Sequence, residues 1–242
     1  MSTKIIAKNS KLQNYRMYID GRWEDSESRE LLDVVNPATE RVVARISKGT
    51  REDAKRALEA AAHAQEKWED LAPVNRAAYL FKIARLIRRD SEKLARIITS
   101  EQGKPLYEAR LEVEGAAQNF EFYAEYARRI EGDVLPSDFA KQSIMILRLP
   151  IGVVSCITPW NFPSSTVARK IAPALITGNT VVSKPSSITP LSSIELAKLA
   201  EEARLPRGVL NVVVGSGSDV GDELTTNKIT GHNSKISPIP RI

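Results

Sequence analysis

The chain has 242 residues, of which 42% are hydrophobic, and its 35 Lys and Arg against 30 Asp and Glu give a formal net charge of +5. This composition suffices for the packed core of one large domain or two smaller ones. Basic and acidic residues are mixed along the predicted helices, as in Arg88-Arg89-Asp90, which is typical of a solvated surface. No apolar run approaches the length of a membrane span. We therefore expect neither nucleic acid nor a membrane as a partner.

Cysteine and histidine are scarce, which limits the chemistry of the chain. Cys156 is the only cysteine, so no disulfide forms within the chain and a cytoplasmic location is expected. It lies in an apolar run, which favours an inert packing role. His63 and His232 are far apart in sequence, and no metal site is predicted. The polar N-terminus lacks the apolar core of a secretory signal, and residues 1–17 are expected to form a flexible leader.

Residues 18–133 predict a helical scaffold that follows several short strands. Thr50 with Asp53 three residues later resembles a capping box and marks the start of the first helix. Gly103 and Pro105 end the third helix. The predicted elements are strands at Met17 to Ile19, Leu31 to Val35 and Arg41 to Ile46, and helices starting at Thr50, running from Val74 to Arg89, covering Leu94 to Ile98, and running from Leu106 to about Ile130.

Residues 134–150 change the pattern from helix to strand. Ser143 to Leu149 predicts a strand, and Val134-Leu135 begins its hairpin partner. On the residues alone, an ordinary surface hairpin is the preferred interpretation.

Residues 151–226 alternate strands and helices in the order β-α-β-α-β-α. This order predicts an α/β fold with a partial, doubly wound parallel sheet. Its strand-to-helix loops line up at one edge, where open α/β sheets bind ligands. The predicted strands are Val153 to Ile157, Thr180 to Ser183 and Val209 to Val214, and the helices are Ser164 to Thr177, Pro190 to Arg204 and a third from Asp219.

Three loops at this edge carry candidate residues, each with a plainer alternative. Asn161 could donate to an oxyanion or merely cap the next helix. Lys184 follows a buried strand and reaches the crevice, or is a solvated surface lysine. Gly217 and Gly221 let a ligand approach the backbone near a helix N-terminus that favours phosphate, or they serve a tight turn. Their spacing from Gly215 misses the standard dinucleotide pattern by one residue.

The chain resembles the aldehyde dehydrogenase superfamily from about Tyr18 to Asn227. The resemblance rests on several motifs in the family's order: Tyr18-Ile19-Asp20-Gly21-Arg22-Trp23, Asn36-Pro37-Ala38-Thr39, Glu101-Gln102-Gly103-Lys104-Pro105, Thr158-Pro159-Trp160-Asn161-Phe162-Pro163, Gly178-Asn179-Thr180, Lys184-Pro185-Ser186 and Gly208-Val209-Leu210-Asn211-Val212-Val213. It implies an NAD(P)-dependent enzyme that oxidises an aldehyde to a carboxylic acid. It also implies that the 134–150 hairpin joins an oligomerisation domain, so a homo-oligomer is expected.

The resemblance implies a cofactor site and a cofactor preference. The lysine contacts the adenosine ribose in the family, and the expected cofactor-binding residues are Ile157, Thr158, Pro159, Trp160, Lys184, Ser186, Ser187, Gly217 and Gly221. NAD-preferring members commonly carry Glu where this sequence has Ser187. Ser187 removes the repulsion of a 2′-phosphate and Lys184 supplies positive charge, so NADP is the expected cofactor, with NAD as the alternative.

The mechanism that the resemblance implies needs residues that this sequence lacks. In the family a cysteine thiolate attacks the aldehyde, Asn161 stabilises the oxyanion, hydride passes to the nicotinamide, and a glutamate activates water. The nucleophilic cysteine and the glutamate lie downstream of the matched region, so the catalytic domain is absent and no nucleophile is assigned. Residues 227–242 are interpreted as an atypical tail, because Pro238 and Pro240 disfavour a strand. An exposed sheet edge is expected after Val209 to Val214.

Three interpretations follow. The first is an N-terminal, cofactor-binding portion of an aldehyde dehydrogenase, truncated and inactive alone, acting on an aldehyde of unassigned structure. The second is a non-enzymatic nucleotide-binding or assembly module. The third is half of a split enzyme completed by a separate chain. The first has the most support.

Overall fold

A six-stranded sheet lies at the centre of the computed structural model, which describes residues 12–234, with side chains described up to residue 231. The strands, numbered in chain order and given in spatial order, are Thr230–Ser234 (β11), Val153–Ile157 (β8), Thr180–Lys184 (β9), Leu210–Val212 (β10), Met17–Ile19 (β2) and Arg22–Glu24 (β3). The first four are parallel, and β2 and β3 are antiparallel to their neighbours. The predicted α/β fold class with a parallel sheet is confirmed.

Two smaller sheets flank this centre. The strands Gln13–Tyr15 (β1), Leu31–Asn36 (β4) and Arg41–Ser47 (β5) pair in the order β1-β5-β4. The strands Asp133–Pro136 (β6) and Ser143–Ile146 (β7) form an antiparallel hairpin whose residues are all exposed. The predicted hairpin is therefore present.

The described residues form seven α-helices: Arg51–Glu69 (α1), Pro73–Arg89 (α2), Ser91–Gln102 (α3), Leu106–Glu125 (α4), Ser165–Ile176 (α5), Leu191–Glu202 (α6) and Asp222–Thr226 (α7). A π-helical turn, Gly217–Gly221, precedes α7. α1 packs on one face of β8, β9 and β10, with α7 beside it. α5 and α6 pack on the opposite face of the sheet. The helices α2, α3 and α4 pack against α5 and α6.

The core divides at the sheet because successive strand residues point to opposite faces. On β9, Val181 joins a large cluster with α2 to α6, while Val182 joins a smaller cluster with α1. Both side chains are fully buried, and burial of each stabilises the fold by about 1.5–3 kcal/mol. A strand that is apolar on both faces needs helices on both sides, which is why α1 belongs to the sheet rather than to a separate scaffold.

Buried polar side chains close helix ends inside the fold. The Arg76 guanidinium donates to the Glu69 carbonyl (2.9 Å) at the end of α1 and to the Ile176 carbonyl (3.1 Å) at the end of α5. These carbonyls have no partner within their helices, and a cation is favoured there. Thr50 and Asp53 form the predicted capping box of α1. Gly103 ends α3 with φ +87°, as its left-handed position requires.

Two predictions near the N-terminal half are wrong. Residues 13–17 of the proposed leader form β1 and the start of β2. Tyr15 of β1 is buried, and its ring lies beneath Lys198 of α6 (4.5 Å from Nζ to the ring centroid). Residues 1–11 of that leader lie outside the described residues. The fourth helix ends at Glu125 instead of about Ile130, because the 3₁₀ turn Tyr126–Arg128 tightens it before the chain extends into β6.

Two predictions about the sheet edges are also wrong. β10 is not an exposed edge, because β2 pairs antiparallel with it and the Asp20 N–H donates to the Asn211 side chain (2.9 Å). The predicted atypical tail, 227–242, contains β11, which pairs parallel with β8. Pro238 and Pro240 do not prevent this strand because it ends at Ser234. Residues 235–242 lie outside the described residues.

Candidate functional site

The carboxyl ends of β8, β9 and β10 lie side by side and are locked by backbone hydrogen bonds. The Thr158 N–H donates to the Lys184 carbonyl (3.1 Å), and the Val213 N–H donates to the Ser183 carbonyl (3.0 Å). Ile157 is paired with Lys184 in the parallel ladder. The three loops that follow these strands therefore meet at one sheet edge, as the sequence predicts.

Lys184 is the one charged residue of β9, a strand in which all five residues are buried. No acceptor within residues 12–231 forms a hydrogen bond or an ion pair with its ammonium, and its burial lowers the pKa of the lysine. A buried cation without a partner is costly. An added negative charge or a hydroxyl at this position would therefore be bound favourably.

Two hydroxyls at the ends of β8 and β9 are also buried without partners among the described residues, and that of Ser183 lies on the opposite face of the sheet from Lys184. Thr158 Oγ1 and Ser183 Oγ are inaccessible to solvent and make no hydrogen bond among the described residues. Buried polar groups in folded proteins normally have a partner. Ser186 and Ser187, on the loop after β9, are half-buried. Lys184, Ser186 and Ser187 thus bring an ammonium and two hydroxyls to this edge, which suits a hydroxyl-rich or phosphorylated ligand.

The glycines of the loop after β10 have different roles. A Cβ on Gly215 would lie 2.6 Å from the Gly49 carbonyl oxygen, so Gly215 is required for the close approach to the start of α1. A Cβ on Gly217 would meet nothing within 4 Å, and one on Gly221 would lie 3.8 Å from Lys184 Cε. Gly221 thus leaves room beside the lysine, while Gly217 borders open space.

The helix start after this loop differs from the sequence expectation. Its N-cap Ser216 already accepts from the Asp219 N–H (2.9 Å) and donates to the Asp219 carboxylate (2.6 Å). Asp222 and Glu223 add further negative charge in the next turn. Carboxylates at a helix N-terminus satisfy the site that a phosphate would take. The favourable charge at this edge is therefore on Lys184 and not on the helix.

Asn161 lies on the loop between β8 and α5 and is exposed, as are its neighbours Pro159 and Trp160. Its side chain makes no hydrogen bond with any described residue, and the N-cap position of α5 belongs to Ser164. The alternative that Asn161 caps this helix is therefore wrong. Its amide is free to donate to a ligand.

Three site-supporting residues were missed by the sequence reasoning: Glu101, Lys104 and Glu112. The Glu112 carboxylate accepts from the N–H groups of Ser164 (2.8 Å) and Ser165 (3.2 Å), and thus caps α5. Glu101 caps α6 in the same way. Both glutamates occupy apolar stripes of their helices, Glu101 after Leu94 and Ile98, and Glu112 between Ala109 and Ala116. A charge on a buried stripe was the available signal.

Neither a reactive thiol nor a metal-ligand cluster is found at this edge among the described residues. The Cys156 thiol is fully buried, and burial raises its pKa to about 12, with Lys170 opposing the shift. A thiol so buried and so rarely ionised is a packing residue. No group of three or more His, Cys, Asp or Glu within the described ranges could hold a metal ion. None of the helices between residues 12 and 234 has the length and hydropathy to cross a bilayer.

The comparisons with known proteins place the chain in a family. The family described as "Aldehyde dehydrogenase family" matches residues 23–233. The chain belongs to the aldehyde dehydrogenase family. The match reaches into β11, beyond the end of the resemblance found in the sequence. This agrees with the observation that the tail continues the sheet up to Ser234.

Curated aldehyde dehydrogenases match this chain over a shared part of their length. The lactaldehyde dehydrogenase of Escherichia coli (strain K12) is 46% identical over 211 residues, 87% of this chain and 44% of the relative. The 3,6-anhydro-alpha-L-galactose dehydrogenase of Vibrio sp. (strain EJY3) is 44% identical over 220 residues, 90% of this chain and 46% of the relative. This aldehyde dehydrogenase chain thus spans less than half the length of these relatives.

Solved aldehyde dehydrogenase structures share the fold. Lactaldehyde dehydrogenase from Escherichia coli superimposes with a TM-score of 0.89 at 44% identity, covering 90% of this chain and 46% of that chain. Betaine aldehyde dehydrogenase from Staphylococcus aureus in complex with NAD+ gives 0.87 at 38% identity, covering 89% and 44%. The D-glyceraldehyde dehydrogenase of Thermoplasma acidophilum, 42% identical over 88% of this chain and 43% of the relative, carries NADP(+) in its name. Aldehyde dehydrogenase relatives therefore include NAD and NADP proteins.

Proposed function

We propose that this chain is the cofactor-binding portion of an NADP-dependent aldehyde dehydrogenase that oxidises an aldehyde to a carboxylic acid. The observation that carries the proposal is Lys184, a lysine only 8% exposed whose ammonium has no acceptor among the described residues, at the sheet edge where α/β folds bind ligands. Family membership supports the activity class. The relatives' names differ in their aldehydes, so the proposal stops at the aldehyde class.

Each loop has a proposed task. Lys184, Ser186 and Ser187 bind the adenosine ribose and its 2′-phosphate, since a cation and two hydroxyls favour phosphate and no carboxylate stands at position 187. Ile157, Thr158, Pro159 and Trp160 border the remainder of the cofactor. Gly217 and Gly221 leave room for it beside Lys184. Bound beside these residues, the cofactor would supply the acceptor for the hydride that the aldehyde loses on oxidation.

Asn161 is the proposed oxyanion donor. Its free, exposed amide suits a charge that develops on the substrate oxygen, and a donor of this kind contributes about 10²–10³-fold in rate. Cys156 cannot attack the aldehyde because it is buried and un-ionised. Since it is the only cysteine among these 242 residues, we propose that the nucleophile lies outside them and that these residues alone do not oxidise aldehydes.

The exposed hairpin favours a second candidate, an assembly module. Val134, Met145 and Leu135 expose apolar side chains on β6 and β7, and such a patch marks an interaction site more often than a bare surface. We propose that it joins another copy of the protein in a homo-oligomer. Both candidates are compatible with cofactor binding by the same chain.

Equilibrium titration tests the cofactor proposal. NADPH and NADH are titrated against the wild-type chain at equal ionic strength, followed by cofactor fluorescence and calorimetry. We expect NADPH to bind more tightly, and Lys184→Met to weaken NADPH binding about 10-fold or more, since a charge-assisted contact is lost. Lys198→Met, which removes an ammonium of α6 that contacts Glu195 and the Tyr15 ring, is the matched control and is expected to bind like wild type. No binding of either cofactor, or equal binding by Lys184→Met, would overturn the proposal.

A further inference from the structure

A buried ion pair lies behind the loop that carries Asn161. Lys104 follows α3, Glu112 lies in α4, and Lys104 Nζ is 2.6 Å from Glu112 Oε2. The Lys104 side chain is 8% exposed and that of Glu112 is 1% exposed. A pair this deeply buried is retained only where its remaining hydrogen-bonding capacity is used. The contacts of both side chains lead to the same loop.

Lys104 contacts the loop at Asn161 and Phe162. Its ammonium donates to the Asn161 carbonyl (3.0 Å) and lies 4.1 Å from the centroid of the Phe162 ring. The ammonium therefore uses two of its three N–H groups on Glu112 and Asn161, and the ring face accepts the remaining positive charge. The main chain at Asn161 is fixed by a charge-assisted hydrogen bond.

Glu112 contacts the loop where it enters α5. Its second oxygen accepts from the N–H groups of Ser164 and Ser165, the first N–H groups of α5. Neutral side-chain hydrogen bonds also reach the loop, from Thr189 Oγ1 to the Trp160 carbonyl (3.2 Å) and from Ser193 Oγ to the Pro163 carbonyl (3.5 Å). The ion pair supplies the charge-assisted contacts at both ends of the segment 161–165.

We propose that Lys104 and Glu112 are positioning residues that fix the peptide of Asn161 and so aim its side-chain amide and the neighbouring Trp160 into the crevice. The proposal rests on the function proposed above, in which Asn161 is the oxyanion donor and Trp160 borders the cofactor. Both side chains are buried, so they act through the loop and not by direct contact with a ligand. A donor held rigid before reaction stabilises developing charge better than one that must reorganise.

Lys198 provides a matched control. Its ammonium pairs with the buried carboxylate of Glu195 (2.6 Å) and lies 4.5 Å from the Tyr15 ring centroid. It therefore makes the same two kinds of contact as Lys104. It lies on α6 and makes none of the contacts to the 160–165 loop.

Hydrogen exchange on the full chain tests the proposal. The variants are Lys104→Met, Lys104→Arg, Glu112→Gln and Lys198→Met, and each is examined for amide exchange in 160–165 and for NADPH affinity. We expect Lys104→Met to speed exchange of the loop about 10-fold, with the amides of β9 and β10 unchanged, and to raise the NADPH dissociation constant several-fold. Lys104→Arg restores both values in part, and Lys198→Met changes neither.

The proposal would be overturned by loop exchange in Lys104→Met equal to wild type, or by faster exchange spread evenly over the chain as in a general loss of stability. A loosened loop with unchanged NADPH affinity would also overturn it, because the pair would then be structural only. If the wild type binds neither NADPH nor NADH, the proposed function fails. The exchange of the loop still decides whether Lys104 and Glu112 fix the Asn161 peptide.

Discussion

The ammonium of Lys184, at the end of β9, and the hydroxyl of Ser187, on the loop that follows, set the proposed choice of cofactor. Lys184 is anchored by a buried strand, so its charge has a fixed position. Ser187 is half-buried and uncharged. A phosphate on the ribose gains attraction from the lysine and meets no repulsion from residue 187.

Ser187→Glu is therefore expected to reverse the cofactor preference. The new carboxylate would repel a 2′-phosphate and accept hydrogen bonds from ribose hydroxyls. We expect NADPH affinity to fall about 10-fold or more and NADH affinity to hold or rise, as measured by paired titrations. Ser187→Ala, which removes the hydroxyl without adding charge, should leave the preference for NADPH in place. A Glu variant that binds NADPH as wild type does would refute the assignment of Ser187.

Glu101 is expected to make stability depend on pH. Burial raises its pKa from 4.5 to about 7, opposed by hydrogen bonds from Ser192 and Leu191 and assisted by the charge of Glu112. Between these values the folded chain binds more protons than the unfolded chain. The contribution of Glu101 to stability is therefore fully present below about pH 4.5 and is lost as the pH rises through about 7.

Glu101→Gln should remove this dependence. The rise in the pKa of Glu101 from 4.5 to about 7 corresponds to roughly 3 kcal/mol of stability at about 1.4 kcal/mol per pH unit. Between pH 4.5 and pH 8, we expect the free energy of unfolding of wild type to fall by about that much relative to that of the variant. Urea denaturation of both proteins at several pH values measures this difference. The other carboxylates titrate alike in both proteins and cancel. A constant difference between the two proteins over this range would show that Glu101 does not titrate there.

For single residues, the sequence predicts those features that depend on the neighbouring residues in the chain. The placement of Lys184 after a buried strand and the packing role of Cys156 follow from the apolar runs around them. The partners of Glu101 and Glu112 did not follow, because their contacts join residues 90 and 52 positions apart. Nothing near Leu191 or Ser164 in the sequence signals that a distant carboxylate completes the helix.

At the scale of elements, the helices that flank the crevice begin without local caps. Ser164 and Pro190 occupy the N-cap positions of α5 and α6 and make no side-chain cap hydrogen bond. Glu112 and Glu101, from α4 and α3, accept from the free N–H groups instead. The helices α3 and α4 therefore complete the N-termini of the two helices whose preceding loops carry Asn161 and Ser187.

The β6–β7 hairpin is expected to drive self-association. Val134 and Met145 lie directly opposite each other and are 69% and 68% exposed. The double variant Val134→Glu with Met145→Lys replaces this apolar pair by opposite charges that still stabilise the hairpin. We expect it to shift the chain from oligomer to monomer in light scattering after gel filtration.

Leu111→Lys is the control for this experiment. Leu111 is 69% exposed but lies on α4, so its replacement should leave the molecular mass unchanged. An unchanged mass for the hairpin double variant would contradict the assembly role. A change of equal size in both variants would do so as well, since it would trace association to general surface hydropathy.

At the scale of the whole molecule, the alternation of strands and helices predicts the parallel β8–β9–β10 unit and the edge where its loops meet. It does not predict that β2 covers β10, because an antiparallel pairing between the two ends of the chain has no local signature. β11 was missed for a different reason, since the Pro residues that argued against a strand lie beyond its end. Both additions place the candidate site inside a wider sheet, with β8, β9 and β10 at interior positions.

A crystal structure of this chain grown with NADP is the most direct test of the account. We predict density for the ribose and its 2′-phosphate beside Lys184 and Ser187, with the remainder of the cofactor along Thr158 to Trp160 and over Gly221. Density at a different edge of the sheet, or contacts that leave the Lys184 ammonium without an acceptor at full occupancy of the cofactor, would contradict it.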